Sequence, residues 1–147
     1  MYSGKEGNLI VFRFEDGKDA IESLKRPAKK HHIQSGIILS GIGMLRHVEI
    51  SFYSREKASY VTHRFNEPVE LLSFSGNISI RNKETFFHLH VALAREDNSA
   101  IGEHLKNATG HNTLEGVIMR LSQIRLTRDS ATGVLSVLQH GNNEKQN

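Results

Sequence analysis

Three histidines, His88, His90 and His104, have the type and spacing to converge on one point. Successive side chains of a strand point to opposite faces. In Phe86-Phe87-His88-Leu89-His90-Val91-Ala92-Leu93-Ala94 the two histidines therefore share one face, while Phe87, Leu89, Val91 and Leu93 fill the other. The apolar face is the core side, and Ala92 and Ala94 give the histidine side a small-walled floor suited to a pocket. The following Arg95-Glu96-Asp97-Asn98-Ser99 has turn chemistry, because Asp, Asn and Ser bond to their own backbone and tolerate tight conformations. An odd hairpin loop centred on Asp97 sets Ala94 against Ala100, Ala92 against Gly102 and His90 against His104. Directly opposed Cβ atoms lie about 4.5–5.5 Å apart, close enough for two imidazoles to share an ion. An even loop would turn His104 to the other face.

The chain has no cysteine, so any metal must be held by nitrogen and oxygen. With nine histidines in 147 residues, a His-x-His triplet arises about 0.5 times by chance, so its weight comes from the strand context and the third histidine. Three neutral imidazoles suit zinc or another divalent ion and leave a position open for water or a substrate oxygen. The competing interpretation has the same histidines hydrogen-bonding in a subunit interface. Glu103 alternates away from His104 and is not expected to ligate. Around the site, Arg13 is a candidate for binding a substrate carboxylate, Glu70 for a base, and Gly102 for part of the pocket wall. An edge ion pair for Arg13 and a solvated strand face for Glu70 are the alternatives.

The elements that would carry these residues are mostly strands. Asn8 to Phe14 alternates, with Ile10, Phe12 and Phe14 on one face. Asp16 and Gly17 open a helix from Lys18 to about His31, in which Ala20, Ile21, Leu24 and Ala28 recur at helical spacing, and Pro27 predicts a kink or an end near Arg26. Ser35 to Leu45, His47 to Ser54, Ser59 to Phe65, Val69 to Ile80, Leu114 to Thr127 and Gly133 to Leu138 read as further strands. The glycines of Ser40-Gly41-Ile42-Gly43 lack the helix and lysine of a phosphate loop, which leaves a bulge or a close backbone contact.

Length and a 37% apolar composition fit one domain over residues 1–140, with a polar, disordered tail over residues 141–147. No apolar run of about 18 residues and no signal-peptide pattern is present, so nothing points to a membrane, and a cytoplasmic protein is the default. A net charge of +3 permits nucleic-acid binding without implying it. Lys25, Arg26, Lys29 and Lys30 are the candidate DNA contacts, with an ordinary solvated helix face as the alternative.

Four motifs in order, Ser40-Gly41-Ile42-Gly43-Met44-Leu45, Glu67 to Ile78, His88-Leu89-His90-Val91-Ala92-Leu93 and Ile101-Gly102-Glu103-His104-Leu105, resemble the plants and prokaryotes conserved (PPC) domain over about Ile10 to Leu138. The resemblance implies an α+β fold of mixed, mainly antiparallel sheets, partly barrel-like, with one main helix packed on them, assembled as a homotrimer. It further implies a divalent metal, zinc first, at His88, His90 and His104, in a fold similar to that of acetolactate decarboxylase. Glu103 stands where family members commonly carry glycine. The plant relatives bind DNA largely through an Arg-Gly-Arg-Pro segment absent here. Two functions follow as expectations: a metal-binding, DNA-binding or regulatory homotrimer, or a metal-dependent lyase or hydrolase acting on a small oxygenated acid bound at the metal.

Overall fold

Alternation of apolar and polar side chains places the strands. In β2 (Leu9–Glu15), Ile10, Phe12 and Phe14 are buried while the residues between them face solvent, the period of two of a strand with one face on a core. A computed structural model describes residues 2–139; His140 and the tail 141–147 lie outside the described residues. The other elements are β1 (Tyr2–Glu6), α1 (Ala20–Lys30), β3 (Gly36–Ser54), β4 (Ser59–Phe65), β5 (Val69–Arg81), β6 (Glu84–Ala94), β7 (Ala100–Arg120), β8 (Ile124–Arg128) and β9 (Leu135–Gln139). Among the described residues no helix is long and apolar enough to cross a membrane.

Among the described residues nine strands join one sheet in the order β1-β2-β7-β3-β5-β8-β9, with β4 paired to β3 and β6 paired to both β5 and β7. The β7-β3-β5-β6 circuit closes on itself, giving a partial ring with open arms. Pairings are antiparallel except β5 with β8, which meet in parallel at Ile80 and Thr127. This is the mixed, mainly antiparallel architecture with one helix that the resemblance implies, drawn as one connected sheet. The core fills the apolar face, with Ile10, Phe12, Leu24, Leu45, Leu93 and Ile118 at its centre.

The helix is shorter at its start than the sequence predicts and does not stop at Arg26. Asp19 is the N-cap, its Oδ1 accepting the Glu22 N–H at 2.8 Å, so the first helical residue is Ala20. Pro27 removes one backbone donor, yet the helix continues to Lys30 because Pro27 is itself buried with Ala20, Leu24 and Ala28 on the core side. The Pro27 carbonyl then accepts the His31 N–H at 3.0 Å.

Three strand boundaries also differ. The expected separate strands before and after Arg46 form the single β3, with His47 at φ 48 and register shifts between Arg46 and Ile50 marking the irregularity. The stretch from Leu114 to Thr127 is divided, its first part ending β7 at Arg120 and its second forming β8. β1 was not anticipated, being short, polar and at the sheet edge. At Gly43, φ is +127 and an added Cβ would lie 2.1 Å from the Thr113 carbonyl oxygen, the close backbone contact read from the sequence.

Candidate metal centre

The β6–β7 hairpin builds the site. Its five-residue loop is closed by Arg95 N–H to the Ser99 carbonyl at 3.0 Å and by Asn98 N–H to the Arg95 carbonyl at 2.9 Å. Asp97 Oδ1 accepts the Ser99 N–H at 2.9 Å, and Asn98 takes φ 64, a conformation Asn tolerates. Ala94 therefore faces Ala100, Ala92 faces Gly102 and His90 faces His104, the odd-loop register. His88 lies two residues back on the same face and completes the group.

The ligand-capable nitrogens of His88, His90 and His104 all lie within 4.8 Å of one another. Ring centroids are 4.0 Å apart for His90 and His104, 4.7 Å for His88 and His104, and 5.2 Å for His88 and His90. His88 Nε2 and His104 Nε2 are 2.8 Å apart, a hydrogen bond between two imidazoles. His88 and His104 are half-buried, and His90 is exposed.

Backbone on both sides of β6 approaches unusually closely. A Cβ on Gly76 of β5 would meet the His88 carbonyl oxygen at 2.1 Å, and a Cβ on Gly102 of β7 would meet the Val91 carbonyl oxygen at 2.4 Å. Glycine at these two positions sets how near β5 and β7 come to the histidine strand.

The surroundings are cationic. Arg128 Nη2 donates to His88 Nδ1 at 2.8 Å and to Asn77 Oδ1 at 3.0 Å, and Arg128 Nη1 donates to the Gly133 carbonyl at 2.8 Å. Tyr60 packs edge-on to His104 with centroids 5.7 Å apart, and Lys106 Nζ lies 4.2 Å from the Tyr60 ring centroid. Where β6 and β7 splay apart, a cavity of about 310 Å³ is lined by Lys25, Phe86, His88, His104 and Lys106, among others. Burial, reinforced by the Arg128 charge and the neighbouring histidines, pushes His88 down to about 4. His104 is lowered as well, by burial first and then by the His90, Lys106 and Arg128 charges. Both rings are thus held neutral at pH 7, the form that ligates metal.

The remaining candidates are dispersed. Arg13 lies on β2 opposite Glu115, its guanidinium 4.8 Å over the Tyr2 ring, in a groove shared with Val11 and Lys30 and separate from the histidines. Glu70 is exposed on β5 opposite Ala94, four residues along β6 from His90. Glu103 pairs with Val91, on the face opposite His104, and its Oε2 is buried without a hydrogen-bond partner. Of the basic helix residues, Lys25 pairs with Glu22 at 2.5 Å and Lys30 Nζ donates to the Ser3 carbonyl at 3.0 Å, while Arg26 and Lys29 are exposed. His31 caps α1 and bonds Ser3 Oγ at 3.1 Å. His47 and His63 are exposed, and His111 is half-buried with its Nδ1 2.9 Å from Arg46 Nη1.

Arg128, Asn77, Tyr60 and Lys106 were not anticipated. The one local sign for Arg128 is its phase: it falls two residues after the buried Leu126 on the same strand face, where a charged side chain needs a partner.

Three imidazoles without thiolates match the donor chemistry of a borderline divalent ion such as zinc. Their nitrogens are gathered on one face of the β6–β7 hairpin, and the residues present fit such an ion. Residues 1–122 match the Plants and Prokaryotes Conserved domain, abbreviated PCC or PPC. The chain belongs to this family. The structure of a metal-containing protein from Archaeoglobus fulgidus is 31% identical with a TM-score of 0.78, covering 92% of this chain and 96% of that one. A PPC protein from Pyrococcus horikoshii is 28% identical with a TM-score of 0.78, covering 94% and 93% of the two chains. The "putative DNA-binding protein" of Bacteroides thetaiotaomicron is 27% identical with a TM-score of 0.82, covering 94% and 96%. A curated relative, Bifunctional protein GlmU from a Synechococcus strain, is 28% identical over 136 residues. This PPC chain spans only about a fifth of that relative, 21% of its length against 89% of its own.

Proposed function

We propose that this PPC-domain protein binds one divalent ion, zinc by donor chemistry, through His88, His90 and His104, and acts as a regulatory or DNA-binding homotrimer. The observation that carries the reading is the convergence of three imidazole nitrogens within 4.8 Å on a hairpin whose loop and glycines hold them there. The metal content of the Archaeoglobus fulgidus relative is consistent with it. When bound, such an ion supplies a Lewis-acidic centre with an open position. Exposed Leu9, Val11, Leu39, Ile42 and Leu72 on β2, β3 and β5 are apolar surface that association of copies would cover. The name of the Bacteroides thetaiotaomicron relative supports DNA as a partner, and exposed Arg26 and Lys29 are the cations to meet it.

The test is elemental analysis of purified wild type beside a His88→Ala, His90→Ala, His104→Ala variant. We expect close to one metal per chain in the wild type and none in the variant; equal content in the two overturns the metal assignment. DNA binding is tested by salt-dependent retention on DNA, expected to fall when Lys25, Arg26, Lys29 and Lys30 are neutralised.

A second reading, a metal-dependent lyase or hydrolase acting on a small oxygenated acid, is favoured by the cationic lining. Lys25 and Lys106 line the cavity beside His88 and His104, and Arg128 touches His88. A carboxylate-bearing molecule would be attracted to that setting.

A further inference from the structure

Arg128 occupies the wrong side of His88 for a resting metal site. Guanidinium groups only donate hydrogen bonds, so the His88 Nδ1 that meets Arg128 Nη2 at 2.8 Å is the unprotonated nitrogen. The His88 proton then sits on Nε2 and is donated to His104 Nε2, 2.8 Å away. In this arrangement both His88 nitrogens are already used. A ligating imidazole needs a bare nitrogen toward the ion and its other N–H on an acceptor, and Arg128 cannot accept. Placing an ion on His88 Nε2 therefore requires Arg128 to let go of Nδ1.

Arg128 would not be lost from the site when it does so. Its Nη1 remains on the Gly133 carbonyl at 2.8 Å and its Nη2 on Asn77 Oδ1 at 3.0 Å. Its Nε is buried with no hydrogen-bond partner. Nε and Nη2 form one edge of the guanidinium, the edge that grips a carboxylate with two parallel bonds. The Arg128 Cζ lies 5.6 Å over the Phe86 ring, and Phe86 lines the cavity that also holds His88, His104 and Lys106.

Resting on the metal assignment above, we propose that Arg128 is the anion-recognition residue of this centre. It holds His88 when no ion is present and turns its Nε–Nη2 edge to the carboxylate of a ligand bound beside the ion. The ligand class is a small carboxylate, and Asn77 and Gly133 are the groups that keep Arg128 in place during the exchange.

The test uses the full chain loaded with Co(II), whose visible absorption reports the ligand field, titrated with acetate. Wild type is expected to bind acetate in a saturable way, with Arg128→Met weakened by about tenfold or more, as for loss of a charge-assisted bidentate pair. Arg128→Lys, which keeps the charge but not the fork, is expected to fall between them and guards against a Met variant that folds poorly. Without acetate, Arg128→Met should take up Co(II) at least as tightly as wild type, because the competing donor to His88 is gone. Co(II) bound by all three proteins with equal acetate affinity overturns the role of Arg128 and leaves the metal site standing. Failure of wild type to bind Co(II) overturns both.

Discussion

Gly102→Ala offers the sharpest separation of site geometry from general stability. The added Cβ would lie 2.4 Å from the Val91 carbonyl oxygen and 3.2 Å from Ala92 Cα. Backbone φ at Gly102 lies outside the left-handed region, so the whole penalty comes from the neighbour. Opening the 2.4 Å contact to the roughly 3.0 Å that real Cβ atoms tolerate moves β7 away from β6 by about 0.6 Å, three times the ±0.2 Å latitude of a metal–ligand distance. The displacement falls at the Ala92–Gly102 pair, next on the same face to His90–His104. Zinc affinity, measured by competition with a chromophoric chelator, should drop about 10- to 100-fold, comparable to losing a supporting contact around a ligand. In chelator, overpacking should cost about 1–3 kcal/mol, read as a melting point lower by roughly 2–12 °C for a chain of this size. Gly4→Ala, where nothing lies within 4 Å of the new Cβ, should match wild type in both assays. A Gly102→Ala protein with wild-type zinc affinity and melting point would refute the claim that this close approach sets the geometry of the histidines.

Acidifying the metal-free protein should reveal His88. Its folded value near 4 lies below the unfolded 6.5, so the unfolded chain takes up the proton first, and stability is full above pH 6.5 and declines as pH falls toward 4. After allowance for screening at a site partly open to water, wild type should lose about 1 kcal/mol more than His88→Gln across that window; parallel pH–melting curves would contradict this, as would an NMR midpoint for His88 near 6.5. Asp19→Ala removes the acceptor of the Glu22 N–H and should cost about 1 kcal/mol in urea denaturation. Leu93→Ala, at a position 0% exposed on the core side of β6, should cost about 2–5 kcal/mol with zinc stoichiometry retained in the folded fraction, checked by denaturation and elemental analysis.

How much was legible in the sequence depended on how local the determining contact was. The His88–His90–His104 arrangement needs only strand alternation and a loop of five residues, both written within Phe86 to Leu105, and the register appears as those residues dictate. Arg128 reaches the same imidazole from a strand that joins β5 through the pairing of Ile80 with Thr127; its phase after Leu126 marks it as inward-facing, but nothing near it in sequence names His88 as the partner. β7 hid for a related reason. Its polar middle, Lys106 to Asn112, reads as a loop in isolation, yet it stays extended because β3 pairs with it through a shifted register. The helix ran past Pro27 because burial of its apolar stripe outweighed one missing donor, a balance set by the sheet beneath it and not by the helix sequence. Arg13 and Glu70 were proposed from their strand faces alone, and strand pairing sets them opposite Glu115 and Ala94.

The doubly paired β6 has a kinetic meaning. From His90 to Ala94 its backbone is bonded to β5 on one side and β7 on the other, so no single edge can peel back to bare these amides. Hydrogen–deuterium exchange at Val91 and Leu93 must then wait for opening of the ring itself, while exchange at the edge strands β1 and β4 proceeds by local fraying. Histidines mounted on such a segment keep their spacing through the small openings that loosen the rest of the sheet.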